Sequence, residues 1–175
     1  MYTHKHAQII IRQFWRALLL ACAIGFMPTG QASATCLGIN CTCSISADPL
    51  DFASYNPLNS TNIDAVGNVS VTCGGLLAGL TISYEVTLST GTSSDALNRT
   101  MSNGGDTLDY NLYTDSNHAS VWGDGTGGTA TITNSYLLSL LSSRTDDHPV
   151  YGRVPSGQNV HVGTYTDAIV ATVIF

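Results

Sequence analysis

The residues best equipped for chemistry in this sequence are its cysteines, Cys22, Cys36, Cys41, Cys43 and Cys73. The run C-x4-C-x-C with a distant fourth cysteine has enough thiols for a zinc site. No histidine lies near them in the sequence, and the export signal described below favours oxidation instead. With Cys22 removed by processing, four cysteines remain, which allow three disulfide pairings. Cys41 and Cys43 fall on one face of a strand, a poor geometry for a bridge. The preferred set is Cys43–Cys73 with Cys36–Cys41. The first would close a loop of about 30 residues and stabilise the fold by roughly 3–4 kcal/mol on a chain-entropy basis.

Other reactive groupings are weak. Asp146-Asp147-His148 could contact a metal, but it precedes Pro149 in a polar stretch with no partner pattern and reads as a solvated loop. His118 and His161 stand alone. Gly123-Asp124-Gly125-Thr126-Gly127-Gly128 is glycine-rich, yet no Lys-Ser/Thr follows, so it is no phosphate loop. Its single carboxylate is too little for calcium. No G-x-S-x-G elbow occurs. The expectation is a chain with no catalytic residues, no metal and no cofactor.

The elements around these residues begin with an export signal over residues 1–34. Met1–Arg16 is basic, Ala17–Met27 is an apolar run too short to span a bilayer, Pro28 breaks it, and Ala32-Ser33-Ala34 fits a cleavage site. Ala21-Cys22-Ala23 offers a second site, and Leu19-Leu20-Ala21-Cys22 resembles a lipoprotein box. Cleavage after Ala34 would leave residues 35–175 as one domain, with Arg99, Arg144 and Arg153 as its only cations against twelve acidic residues, a net charge of −9. Such a surface repels phosphate backbones and anionic membranes, which excludes nucleic-acid binding. The same span has 19 Thr and 17 Ser, so uncharged hydroxyls must keep it soluble.

Period-two alternation dominates this domain. Cys43 and Ile45 share a face, as do Val69, Val71 and Cys73. Ile82, Tyr84, Val86 and Leu88 line a long strand, and Leu108, Tyr110 and Leu112 another. Ala130 and Ile132 mark a short strand, and Val150, Gly152 and Val154 one more. Thr164–Phe175 reads as a final strand with Tyr165, Asp167, Ile169, Ala171, Val173 and Phe175 on one face. Its other face is also largely apolar, as in a strand buried on both sides. Ser135–Ser143 reads as a short helix or a strand. Asn56-Pro57, Gly74-Gly75, Asn103-Gly104, Asp124-Gly125 and Pro155-Ser156-Gly157 supply turns. Short strands with turns between them and an inter-strand disulfide predict an all-β sandwich. Tyr113, Trp122 and Tyr151 read equally as contact aromatics or as core packing.

Four segments together resemble the spore coat protein U domain family. They are Cys41–Ala47 with Asp51–Pro57; Val69–Cys73; Leu108–Asp115 leading to Val121-Trp122-Gly123-Asp124-Gly125; and Val150–Val154 with Gly163–Asp167. The resemblance covers nearly all of residues 41–175. Residue 53 is Ala where the family usually has Gly, and His161-Val162 replaces a small pair before Gly163.

The family includes subunits of archaic, Csu-type chaperone–usher pili. The resemblance implies an incomplete immunoglobulin-like sandwich whose missing final strand comes first from a periplasmic chaperone and then from a neighbouring subunit. The implied partners are therefore the chaperone, an outer-membrane usher and other pilins. The implied location is the cell surface, reached through the periplasm, with a role in adhesion or biofilm formation. The strand carrying Ile169, Ala171, Val173 and Phe175 would border the gap, and an open apolar edge of that kind needs a cover. A donor strand needs about ten alternating residues, near 33 Å. Thr35–Thr42 is eight residues with two cysteines and a glycine, and Ile24–Thr35, left by the earlier cut, contains Pro28. Both are poor donors, which favours a tip or minor subunit over a shaft subunit. The alternative is a free secreted or coat-associated binding module with a complete fold.

Overall fold

The structure, a computed structural model, describes residues 41–75, 80–139 and 142–175. The segment expected to be a signal, together with Cys22 and Cys36, lies outside the described residues. The strands in chain order are β1 (Thr42–Ala47), β2 (Ile63–Gly75), β3 (Leu80–Leu88), β4 (Arg99–Asn103), β5 (Asp106–Tyr113), β6 (Ile132–Leu138), β7 (Ser142–Val154) and β8 (Ala171–Ile174). A 3-10 turn at Gly91–Ser93 joins the β3 and β4 regions. A five-stranded sheet has the order β1-β2-β7-β5-β4, and a three-stranded sheet the order β6-β3-β8. The pairings are antiparallel throughout.

Alternation builds the core, because successive side chains on a strand point to opposite faces. Val69, Val71 and Cys73 of β2 face Ile82, Tyr84, Val86 and Leu88 of β3, and all are buried. Met101, Leu108, Leu112, Val150 and Val154 extend this layer, and Leu50 and Phe52 close it from the β1–β2 connection. A Cβ placed on Gly152 would lie 2.6 Å from the Phe52 ring, so only a glycine lets that ring lie against β7.

Several expectations need correction. Thr164–Phe175 is not one strand. Thr166 bridges Ser102 of β4 in the five-stranded sheet, and the chain then crosses to pair β8 with β3. Nor is it buried on both faces: Tyr165, Asp167, Ile169 and Ala171 are buried, while Thr166, Ala168, Thr172 and Ile174 are exposed. Asp146-Asp147-His148 is no loop. It lies inside β7, which extends eight residues N-terminal to the Val150–Val154 run by way of mostly polar residues paired to β2. Pro149 is tolerated there because β5 pairs β7 only at Tyr151–Arg153, so no neighbouring strand on that side needs its missing N–H. Ser135 to Leu138 is strand rather than helix, and Ser142 already begins β7. Ala130 stands outside β6, in an isolated bridge to Trp122.

Candidate functional site

The two sheets are unequal, and the difference defines an edge. β6 pairs β3 from Leu80 to Val86, whereas β8 pairs it only from Glu85 to Leu88. Among the described residues, β3 from Leu80 to Tyr84 therefore has no strand partner on the side away from β6. The far edge of β8 has none either, and β1 ends the larger sheet. β1 and β8 lie beside each other, so these unpaired edges border one seam.

Local chemistry sets each wall of that seam. Cys43 sits directly opposite Cys73 and is disulfide-bonded to it, with a Cα–Cα distance of 4.1 Å. The bridge fastens the terminal strand β1 to the thirteen-residue β2. Cys41 is also disulfide-bonded; Cys36, its expected partner, lies outside the described residues. Cys43, Ile45 and Val173 are half-buried against the core. Ile169 and Ala171 are buried, while Ile174 and Phe175 are 46% and 41% exposed. The alternation of Ile169, Ala171 and Val173 toward the core is what a sandwich strand requires. Phe175, at the end of that series, is turned largely to solvent.

A buried polar hub fixes where the chain enters β8. The Asp167 carboxylate accepts from Thr92 N, from Ala168 N and from the Tyr110 hydroxyl at 2.7 Å. Nearby, Arg99 is fully buried. Its five N–H groups donate to the carbonyls of Ser89 (twice), Ala96 and Trp122 and to Asn111 Oδ1. A guanidinium has five donors, so every one is satisfied. Burial pushes Arg99 down from its ordinary value, and Asp167 and Asp95 oppose that shift. Burial pushes the Tyr110 hydroxyl up. Trp122 belongs to this hub: it is fully buried and donates from Nε1 to Val86 O at 3.0 Å. It is packing, not a contact aromatic, whereas Tyr113 and Tyr151 stay half-exposed. Sequence reasoning missed Arg99. The available signal was an arginine on an alternating run in a domain with two others.

The opposite seam, between β6 and β7, is bridged by polar side chains. Arg144, Asp146 and His148 point inward from β7 toward Tyr84 of β3 and Asn134 and Tyr136 of β6. Tyr84 Oη lies 3.0 Å from Asp146 Oδ2, 2.9 Å from His148 Nε2 and 3.3 Å from Asn134 Nδ2. A hydroxyl has one hydrogen, and a carboxylate only accepts. Tyr84 therefore donates to Asp146, and His148 donates from Nε2. Arg144 Nε donates to Asp146 Oδ1 at 2.7 Å, with its guanidinium 4.3 Å from the Tyr136 ring centre. Burial pushes the Tyr84 hydroxyl up and lowers His148 from its ordinary value, while Asp146 and Asp147 work the other way on His148. Among the described residues no group of three or more acidic, histidine or cysteine side chains is placed to hold a metal ion. No helix among them is long and apolar enough to cross a membrane.

Residue 53 connects this geometry to sequence relatives. Ala53 has φ +54°, a left-handed conformation that glycine adopts without steric cost. Residues 29–172 match the Spore Coat Protein U domain. Protein U of Myxococcus xanthus is 32% identical, with the match covering 89% of this chain and 92% of that protein. A similar solved fold is the CsuC–CsuE chaperone–tip adhesion subunit pre-assembly complex from archaic Csu pili of Acinetobacter baumannii. The TM-score is 0.50 at 19% identity, and the match covers 78% of this chain. It spans 40% of the length of that structure's chain. With near end-to-end similarity to Protein U, and a domain match from Thr29 to Thr172, the chain belongs to the Spore Coat Protein U domain family.

Proposed function

We propose that this chain is a secreted structural subunit of a chaperone–usher surface pilus, completed by a strand from a partner. The carrying observation is the β1–β8 seam, where β8 pairs only Glu85–Leu88 of the nine-residue β3 and apolar side chains remain partly open. An incoming extended segment would hydrogen-bond to the free edge of β8 and place alternate side chains against Cys43, Ile45 and Val173. Its donors are, in turn, a periplasmic chaperone and a neighbouring subunit, with an outer-membrane usher as the assembly platform. Residues 1–34 act as the export signal, and the protein reaches the cell surface through the periplasm. The composition of Thr35–Thr42 favours a tip or minor position, from which the subunit supports adhesion or biofilm formation. The function is structural rather than enzymatic.

The test is periplasmic co-expression with and without a chaperone of archaic chaperone–usher pili, followed by sizing and intact mass. A stable one-to-one complex, with little soluble protein otherwise, is the expected result. The mass also locates the mature N-terminus. A well-behaved monomer that ignores the chaperone would overturn the reading and leave a self-sufficient secreted β-sandwich.

A further inference from the structure

The outer face of the five-stranded sheet carries a pattern that neither the core nor the β1–β8 seam uses. Ser44, Thr72 and Thr145 stand in one cross-strand row, and Ser46, Ser70 and Asp147 in the next. Strands spaced ~4.8 Å apart, with outward side chains repeating every ~6.7 Å, place these groups on a regular lattice. On β1 and β7 they are exposed, and on β2 they are half-exposed.

The lattice is also internally ordered. The Thr72 and Thr145 hydroxyls are 2.8 Å apart. Ser70 donates to Asp147 Oδ1 at 2.6 Å, and Asn68 Nδ2 donates to Ser70 Oγ at 2.8 Å and to Asp147 Oδ1 at 3.2 Å. One hydroxyl of the Thr72–Thr145 pair donates to the other. The pair thus keeps one hydrogen and several lone pairs for an outside partner, and linked hydroxyls polarise one another. Further down the same face, Tyr151 lies between Tyr113 and Val66, the latter 66% exposed, and the His118 ring packs edge-on against both tyrosines, 5.0 Å from Tyr113 and 6.5 Å from Tyr151. A row of fixed donors and acceptors therefore runs beside an aromatic and aliphatic row.

Charge narrows the partner. The one charge in the lattice is the Asp147 carboxylate, which Ser70 and Asn68 already hold; Arg144 lies on the opposite face, bonded to Asp146, and Arg153 is forked onto Asp64 by two bonds of 2.7 Å. Polyanions meet a domain rich in carboxylates, and purely apolar surfaces would strip water from hydroxyls without replacing it. A partner that offers neutral hydroxyls in a repeat, with C–H faces to lie on tyrosine, satisfies both rows. We propose that this sheet face docks a neutral polysaccharide.

The test uses the full chain in its folded, partner-stabilised form. Retention is measured on insoluble cellulose, starch and chitin and on an array of neutral oligosaccharides, at low and high salt. Retention on at least one, little changed by salt, is expected. It should fall at least tenfold in Thr72→Val/Thr145→Val and in Tyr151→Ala. Thr133→Val, on the outer face of the other sheet, should leave it unchanged. Valine suits an exposed strand position, and a thermal melt of each variant separates lost binding from lost fold. Retention on none of the glycans, or equal retention by the lattice variants, would overturn the proposal. The pilus reading stands or falls separately, on chaperone capture.

Discussion

The two long seams of the sandwich solve the same problem in opposite ways. Between β6 and β7, consecutive strands of different sheets meet over Tyr84, Asn134, Asp146 and His148, and the hydroxyl of Tyr84 binds all three partners. Between β1 and β8 no side-chain hydrogen bond crosses among the described residues, and the walls are Cys43, Ile45 and Val173. Directional contacts suit a seam that has only to stay shut, because each buried polar group must keep a specific mate. Apolar walls would suit the successive partners proposed for this seam, because hydrophobic contact is non-directional.

The largest expected effect comes from placing a charge on each side in turn. Val173→Asp puts an unpaired carboxylate into the open seam, at a cost of several kcal/mol in any closed complex, and should abolish co-purification with the chaperone. Leu137→Asp changes an exposed β6 residue and should leave capture intact. Equal effects in a pull-down would show that capture is not seated on the β1–β8 seam.

Next in size is the bridge that holds the wall of the open seam. Cys43→Ala/Cys73→Ala should lower stability by about 3–4 kcal/mol, read by denaturant unfolding of the complex. On the closed side, Tyr84→Phe strands Asp146, His148 and Asn134 together and should cost about 1–3 kcal/mol. A change near zero would show that water replaces the hydroxyl.

His148 gives the closed seam a pH dependence. Its folded value lies below the ordinary 6.5, chiefly because burial disfavours the imidazolium. The unfolded chain then takes the proton first, so stability falls as pH drops from 6.5 toward the folded value. Melting temperature should decline between pH 7 and 5, and His148→Gln should flatten that decline. The smallest change is a gain. Ala53→Gly relieves a left-handed alanine and should stabilise the fold by about 0.5–1 kcal/mol. A thermal shift in the other direction would mean that unfolded-state entropy outweighs the strain.

What the sequence revealed follows from the same contrast. Strands whose inward residues are apolar, such as β2 and β3, were legible because alternation maps directly onto burial. The N-terminal half of β7 turns Arg144, Asp146 and His148 to its inward face, with Arg144 itself exposed, and these residues read as solvated. β4 was missed for the same reason, since it begins with a buried arginine. The Thr164–Phe175 run hid its change of sheet because Tyr165, Asp167, Ile169 and Ala171 stay buried on both sides of the crossing. Only the hub at Asp167, assembled from Thr92 and Tyr110 far away in the chain, sets where one sheet is left for the other. An open edge beside the final strand is what the family resemblance implies. Its extent depends on how far β8 runs along β3, which no local pattern encodes.

The Cys43–Cys73 bridge also has a mechanical meaning. A terminal strand held by hydrogen bonds alone can be peeled off one bond at a time when force acts at its end. Here the tie joins β1 to β2, whose ladder with β7 runs from Ile63 to Gly75. Tension entering β1 from the neighbour proposed above would be handed on to that whole ladder, whose bonds would load together in shear. The bridge thus makes the outermost strand a tether rather than a zipper.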